Sequence, residues 1–283
     1  MDDAHEALLG EDWGGDMGRT WLENLPRFEG MIAPIGAALL THAAFKPGER
    51  VIDIGCGGGG TTINIGRSVS PGGQAVGLDI SPDLIRAANA RASLGTQSEI
   101  RFVCADAATA TVTGGPFDRL FSRFGSMFFA DPAAGFRNLR RMVRDGGRID
   151  LAVWAPPQEN EWMATIQAAL APFVTPPHSP PDPRAPGPFA LADTDYLTGL
   201  LTQAGFGAPE ITPCACSLPV GGPATSAQDA ARFVLTATHA GRLVAEARQE
   251  EAIGALADAF APHHVPGKGV LIGGKAWLVT AGA

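Results

Sequence analysis

Val51-Ile52-Asp53-Ile54-Gly55-Cys56-Gly57-Gly58-Gly59-Gly60 is the stretch on which the fold turns. Its first four residues are apolar apart from one carboxylate, Asp53. Glycines then crowd the next six positions, and Thr61-Thr62 opens a helical pattern. A buried parallel strand, a tight turn and a helix N-terminus produce this order. Glycine lets the turn take positive φ and lets a ligand approach bare backbone. The helix start behind it offers unpaired N–H groups.

The spacing Gly55-x-Gly57-x-x-Gly60 also fits the dinucleotide fingerprint. Asp53, two residues before the first glycine, argues against that ligand, because a carboxylate there repels a pyrophosphate. A cationic ligand suits it better.

Outward from this stretch, strands and helices alternate. Gln74–Asp79 is a predicted second strand, and Ser81-Pro82-Asp83 is a helix start with cap, proline and acid in the expected places. That helix runs to about residue 94. Strands follow at 100–104, 117–122 and 148–154, with a helix over 132–143 and a turn at Asp145-Gly-Gly147. Such alternation predicts an α/β fold with a doubly wound parallel sheet.

Three carboxylates then fall in register. Asp53 sits at the first strand, Asp79 ends the second and Asp106 follows the third, at intervals of 26 and 27 residues. Right-handed crossovers bring such strand ends together along one rim, where open α/β sheets bind ligands. Each acid taken singly is an ordinary turn or helix cap. All three beside a glycine loop point to a nucleoside-type ligand.

Val51-Ile-Asp53-Ile-Gly55-Cys-Gly57 resembles the glycine-rich motif of class I S-adenosylmethionine-dependent methyltransferases. The resemblance extends over residues 48 to 154, including Phe117-Asp118 and Asp145-Gly-Gly147. Gly187–Asp193, the helix after it and Ala204-Gly-Phe206 resemble the small-molecule branch. It implies a Rossmann-like seven-stranded sheet of order 3-2-1-4-5-7-6 with the last strand antiparallel. It also implies S-adenosylmethionine as cofactor. Asp79 would bind ribose, with Ile80 against the adenine face and Asp106, beside Ala107, at the adenine amino group. Asp53 and the backbone of Gly55, Cys56 and Gly57 would face the methionine portion. Ser122 and Arg123, beyond the fourth strand, would stand near the sulfonium. No catalytic residue follows from the resemblance. Ser122-Arg-Phe-Gly125 stands where amino-methylating enzymes of DNA and protein often keep an Asn-Pro-Pro-Tyr-like run.

Composition narrows the partners. Net charge is −8 and no basic run exceeds Arg140-Arg141, which disfavours nucleic acid. Cys56, Cys104, Cys214 and Cys216 form no CxxC pair, so neither a disulfide framework nor a metal site is expected. No apolar run is long enough for a bilayer, and the acidic N-terminus is unlike a signal peptide, so a cytoplasmic location is expected. Cys56 reads as a small turn residue. His178 reads as solvated, and His263-His264 as a surface loop.

The flanks complete a single domain over 1–283: a helical cap at 1–45, the cofactor-binding core at 46–155, and a flap insertion, extra helices and closing strands at 156–283. Leu25, Phe28, Ile32, Ile35, Leu39 and Leu40 mark an amphipathic helix in the cap. Pro172 to Pro188 contains eight prolines and reads as an extended flap. The acceptor, a small organic molecule, is expected between Trp13, Trp21 and Phe28 of the cap and the flap at 156–189. A nicotinamide-dependent oxidoreductase and a non-catalytic S-adenosylmethionine-binding scaffold are the alternatives. The oligomeric state stays open.

Overall fold

A computed structural model describes residues 12–93, 99–175 and 182–283. His178 lies outside the described residues. Two helices come first, α1 (Asp16–Glu23) and α2 (Leu25–Ala43). Pro26 occupies the first turn of α2, where its missing N–H costs nothing, and Ala44 closes the helix in a left-handed conformation. Strand β1 (Arg50–Ile54) then leads through the glycines into α3 (Gly60–Val69). The next units are β2 (Gln74–Asp79), α4 (Pro82–Ala92) and β3 (Glu99–Cys104). The Ser81 hydroxyl caps α4 by accepting from the Leu84 N–H.

Strand β4 (Phe117–Arg123), helix α5 (Pro132–Met142) and β5 (Val143–Trp154) form the other half. Here the structure corrects two boundaries. Ser122 and Arg123 lie inside β4, not beyond it. The Asp145–Gly147 turn is contained within β5, where the register with β4 slips between Phe117 and Arg119. Gly146 takes positive φ and donates to the Ala283 carbonyl, while the Gly147 carbonyl accepts from the Ala283 N–H.

After α6 (Glu161–Leu170) and α7 (Thr194–Ala204) come β6 (Glu210–Val220), α8 (Ala227–Ala237), α9 (His239–Arg242) and α10 (Gln249–Phe260). A two-residue strand, β7 (His264–Val265), precedes the long final strand β8 (Gly269–Gly282). The order is β3-β2-β1-β4-β5-β8-β6, with β7 paired to β8. This is the order the resemblance implies once β7 is set aside. β8 runs antiparallel to both its neighbours, and the strands from β3 to β5 pair in parallel.

The chain therefore winds one way from β1 and the other way from β4. Right-handed crossovers put α3 and α4 on one face and α5 on the other, opening a crevice between the β1 and β4 ends. Beneath it, Ile52, Leu78, Leu120, Phe121 and Phe136 are fully buried. At the opposite edge, Arg119 and Arg148 both donate to the Ala43 carbonyl at 2.6 Å and both pair with buried Asp150. This clamp fixes the C-terminal end of α2, whose other end meets the glycine loop.

Candidate functional site

The loops after β1 and β4 touch. A Cβ on Gly55 (φ +64°) would fall 2.6 Å from the Gly125 Cα, and one on Gly125 would fall 2.6 Å from the Ile54 carbonyl oxygen. Only glycine fits at either position. The Gly55 and Cys56 N–H groups both donate to the Leu78 carbonyl, which ties the turn to β2. Gly55, Gly57 and Gly60 remain half-exposed while Gly58 and Gly59 are buried. Bare backbone is thus open at the three positions of the spacing noted above.

Asp53 is 1% exposed. Its Oδ2 accepts from the hydroxyls of Thr61 and Thr62, each at 2.7 Å, so the first turn of α3 is stitched to β1. Its Oδ1 has no partner among the described residues. Burial raises the carboxyl to about 6, against the lowering pull of the two threonines and of Arg123. A buried carboxylate with one bare oxygen is suited to a cationic ligand.

Asp79 does two local jobs. Its Oδ2 accepts from the Gly57 N–H at 2.8 Å and its Oδ1 from the Ser81 N–H at 2.9 Å. Each oxygen keeps a second lone pair for a ligand hydroxyl. Burial raises this carboxyl too, while the N–H donors pull it down. Beside it Ile80 is 45% exposed, one of three large hydrophobics so exposed among the described residues. Asp106 is exposed, and its carboxylate accepts from the Ala108 N–H and the Thr109 hydroxyl of its own turn. Ala107 is half-buried, its carbonyl held by Asn138.

Two residues of the expected set turn inward. The Cys56 thiol packs onto β2, where a Cβ on Gly77 would lie 2.8 Å from Sγ, and burial raises it well above the usual thiol range. The Ser122 hydroxyl is buried and donates to the Ile54 carbonyl at 3.0 Å, joining β4 to β1. Arg123 is half-buried: its Nε is enclosed and unpartnered, and Asp53 and Glu29 are the negative charges that act on its guanidinium.

The N-terminal helices lie over this rim. A Cβ on Gly18 of α1 would sit 2.7 Å from the Ser81 Oγ, and Trp21 Nε1 lies 3.8 Å from the Cβ position of Gly57. Trp21 stacks on Phe28 at 4.1 Å, Phe28 meets Phe233 of α8, and Trp13 bridges Trp21 and Phe128. A second aromatic row follows the β4 and β5 ends. Phe124, held at φ +64°, stacks on Trp154 at 4.4 Å, and Trp162 and Phe189 continue it.

Sequence reasoning missed the Glu29–Arg91 pair, bidentate at 2.7 and 3.1 Å, whose arginine also donates to the Gly58 carbonyl. It spans 62 residues, and no local spacing signals it.

S-Adenosylmethionine was the expected ligand, and the rim fits its chemistry: a bare carboxylate oxygen for an ammonium, open backbone, an acid with spare lone pairs for a ribose and an exposed apolar wall for adenine. Among the described residues no group of three His, Cys, Asp or Glu side chains is arranged to hold a metal ion.

Residues 51–147 match the family model of a methyltransferase domain. Nocamycin O-methyltransferase of Saccharothrix syringae is 31% identical over 130 residues, 46% of each chain. Demethylmenaquinone methyltransferase of Corynebacterium kroppenstedtii is 31% identical over 112 residues, 40% of this chain and 44% of that one. These matches thus span less than half the length of either relative. In structure, the YcgJ protein of Bacillus subtilis superposes with a TM-score of 0.57 at 18% identity, over 87% of this chain and 97% of that one.

Proposed function

This chain belongs to the class I S-adenosylmethionine-dependent methyltransferases, and on that premise we propose that it moves a methyl group from S-adenosylmethionine to a small organic acceptor. The observation that carries the reading is the rim itself: Asp53 with a bare oxygen, open glycine backbone, Asp79 and exposed Ile80, in that order along the β1 and β2 ends. When bound, the cofactor supplies a methyl carbon already activated by its sulfonium, which the acceptor attacks in line with the departing sulfur.

The chain's own residues then have mainly to hold and align. Asp79 accepts from the ribose hydroxyls through its free lone pairs, each charge-assisted bond contributing roughly 1.5–3 kcal/mol. Ile80 packs on the adenine, and Asp106 with Ala107 borders it. Asp53, enclosed beneath the loop, would favour the amino group through its charge, and Gly55, Cys56 and Gly57 would offer backbone. Ser122 keeps the β1 and β4 ends in register, and Arg123 stands at the amino-acid end. Alignment of acceptor and methyl carbon supplies roughly 7–11 kcal/mol of the barrier reduction.

The acceptor site lies between the two aromatic groups, Trp13–Trp21–Phe28–Phe128–Phe233 and Phe124–Trp154–Trp162–Phe189. Large aromatic faces exclude water and favour an apolar or aromatic acceptor. The two curated relatives named above, called after nocamycin and demethylmenaquinone, support that class. No described helix is long and apolar enough to cross a membrane, and we take the chain to work in the cytoplasm as one unit of cap, core and flap.

The test is turnover. The purified protein is incubated with S-adenosylmethionine and a panel of small phenols, quinols and carboxylic acids, and S-adenosylhomocysteine is quantified by mass spectrometry. Acceptor-dependent product is expected. Binding of the cofactor with no turnover of any acceptor supports the scaffold reading instead.

A further inference from the structure

Beside the rim, α2 and α3 diverge from Gly60 onward and leave a groove of about 570 Å³. Ala33, Ala37 and Leu40 form one wall, Thr61 and Asn64 the other, and Arg123 reaches into it from β4. Arg123 donates no hydrogen bond and makes no ion pair among the described residues, and its Nε is shut off from solvent. The fold nevertheless makes room for it. A Cβ on Gly36 would lie 2.9 Å from its Nη1 and 3.0 Å from its Cδ, so α2 carries a glycine where the guanidinium crosses.

Enclosing part of a guanidinium without hydrogen-bond partners is costly, and the charge of Asp53 offsets only part of the lost hydration. Glu29 cannot relieve it, being committed to Arg91. Two features beside it favour an anion. No side chain caps the first turn of α3, which borders the groove. Among Glu29, Asp53, Arg67, Arg91 and Arg123 the balance is three positive charges against two negative, or +1. That balance suits a monoanion, and one planar guanidinium fork matches a carboxylate. The apolar wall of α2 suits an organic acid.

We propose that the α2–α3 groove is a carboxylate-binding site with Arg123 as its receptor. The carboxylate has two possible sources: the amino-acid end of the cofactor, in which case the inference rests on the function proposed above, or a separate organic acid.

Calorimetric titration separates them. S-Adenosylhomocysteine, its decarboxylated analogue and benzoate, the last with and without saturating S-adenosylhomocysteine, are titrated into the wild type, Arg123→Gln and Gly36→Ala. If the cofactor is the source, the wild type prefers S-adenosylhomocysteine over the decarboxylated analogue by tenfold or more. That preference falls below twofold in both variants. If the source is a separate acid, benzoate binds the wild type even with S-adenosylhomocysteine present, and both variants lose it. Melting of Arg123→Gln without ligand shows whether that variant is folded. Gly36→Ala keeps the charge but displaces it, and carries the test should Arg123→Gln fail to fold. A wild type with neither the preference nor benzoate binding overturns the proposal, as does a preference or benzoate binding that survives in both variants. If neither nucleoside binds the wild type, the methyltransferase reading has failed, and benzoate alone decides this one.

Discussion

The Gly57 N–H donates to the Asp79 Oδ2 at 2.8 Å, so the acid at the end of β2 also fixes the shape of the glycine loop after β1. One side chain thus organises two parts of the rim. Asp79→Ala is expected to weaken S-adenosylmethionine binding by roughly 1.5–3 kcal/mol, about tenfold or more, through lost ribose bonds. The freed loop adds to that loss. Calorimetric titration giving an unchanged affinity contradicts the ribose assignment.

Asp53 predicts a pH dependence. Its carboxyl is raised to about 6 in the folded chain from an ordinary 3.8, so between those values the folded state binds the extra proton. Stability from this group is therefore greatest below pH 4 and is lost as pH rises through 6, by up to about 3 kcal/mol. Asp53→Asn keeps an acceptor for Thr61 and Thr62 and removes the charge. Urea melts should show it gaining on the wild type between pH 4.5 and 7.5, while its affinity for S-adenosylmethionine falls. Parallel pH profiles for the two proteins go against this account.

Much of this was legible in the sequence, and for a physical reason. A buried parallel strand, a glycine turn and a helix start are local features, so β1 through β4, the end of β5 and the acids beside them were readable within a residue or two. The sheet order was legible only through the family resemblance, since no local pattern encodes it. What escaped were facts set by distant packing. Ser122 was expected near the sulfonium, but it lies within β4, which runs one residue further than its pattern suggests, and its hydroxyl joins Ile54. Asp145-Gly-Gly147 reads as a turn, yet pairing with Ala283 draws it into β5. Gly36 carries no local signal, because its role depends on Arg123 crossing it from β4.

Cysteine reactivity offers a third check. Cys56 is buried and its thiol is held protonated by that burial, whereas Cys104 is exposed. Burial also raises the half-buried Cys216, to about 11. A thiol reacts as thiolate, so iodoacetamide at pH 8 should label Cys104 first and Cys56 last, as read by peptide mass mapping. Early labelling of Cys56 contradicts the packing onto Gly77.

Trp21 tests the cap. It is half-buried, stacks on Phe28 and stands beside Gly57. Trp21→Ala should change turnover or acceptor KM severalfold. Its destabilisation should stay below the roughly 3–5 kcal/mol typical of a fully buried tryptophan. A variant that melts much lower with unaltered kinetics makes Trp21 an anchor and removes it from the acceptor site.

The central claim is that the β1–β2 rim binds S-adenosylmethionine, and calorimetric titration of the purified wild type with that compound tests it most directly. The account predicts one saturable site with a dissociation constant in the micromolar range, near −8 kcal/mol, and no comparable binding of NADH. Absence of binding at millimolar S-adenosylmethionine, or saturable binding of NADH in its place, contradicts it.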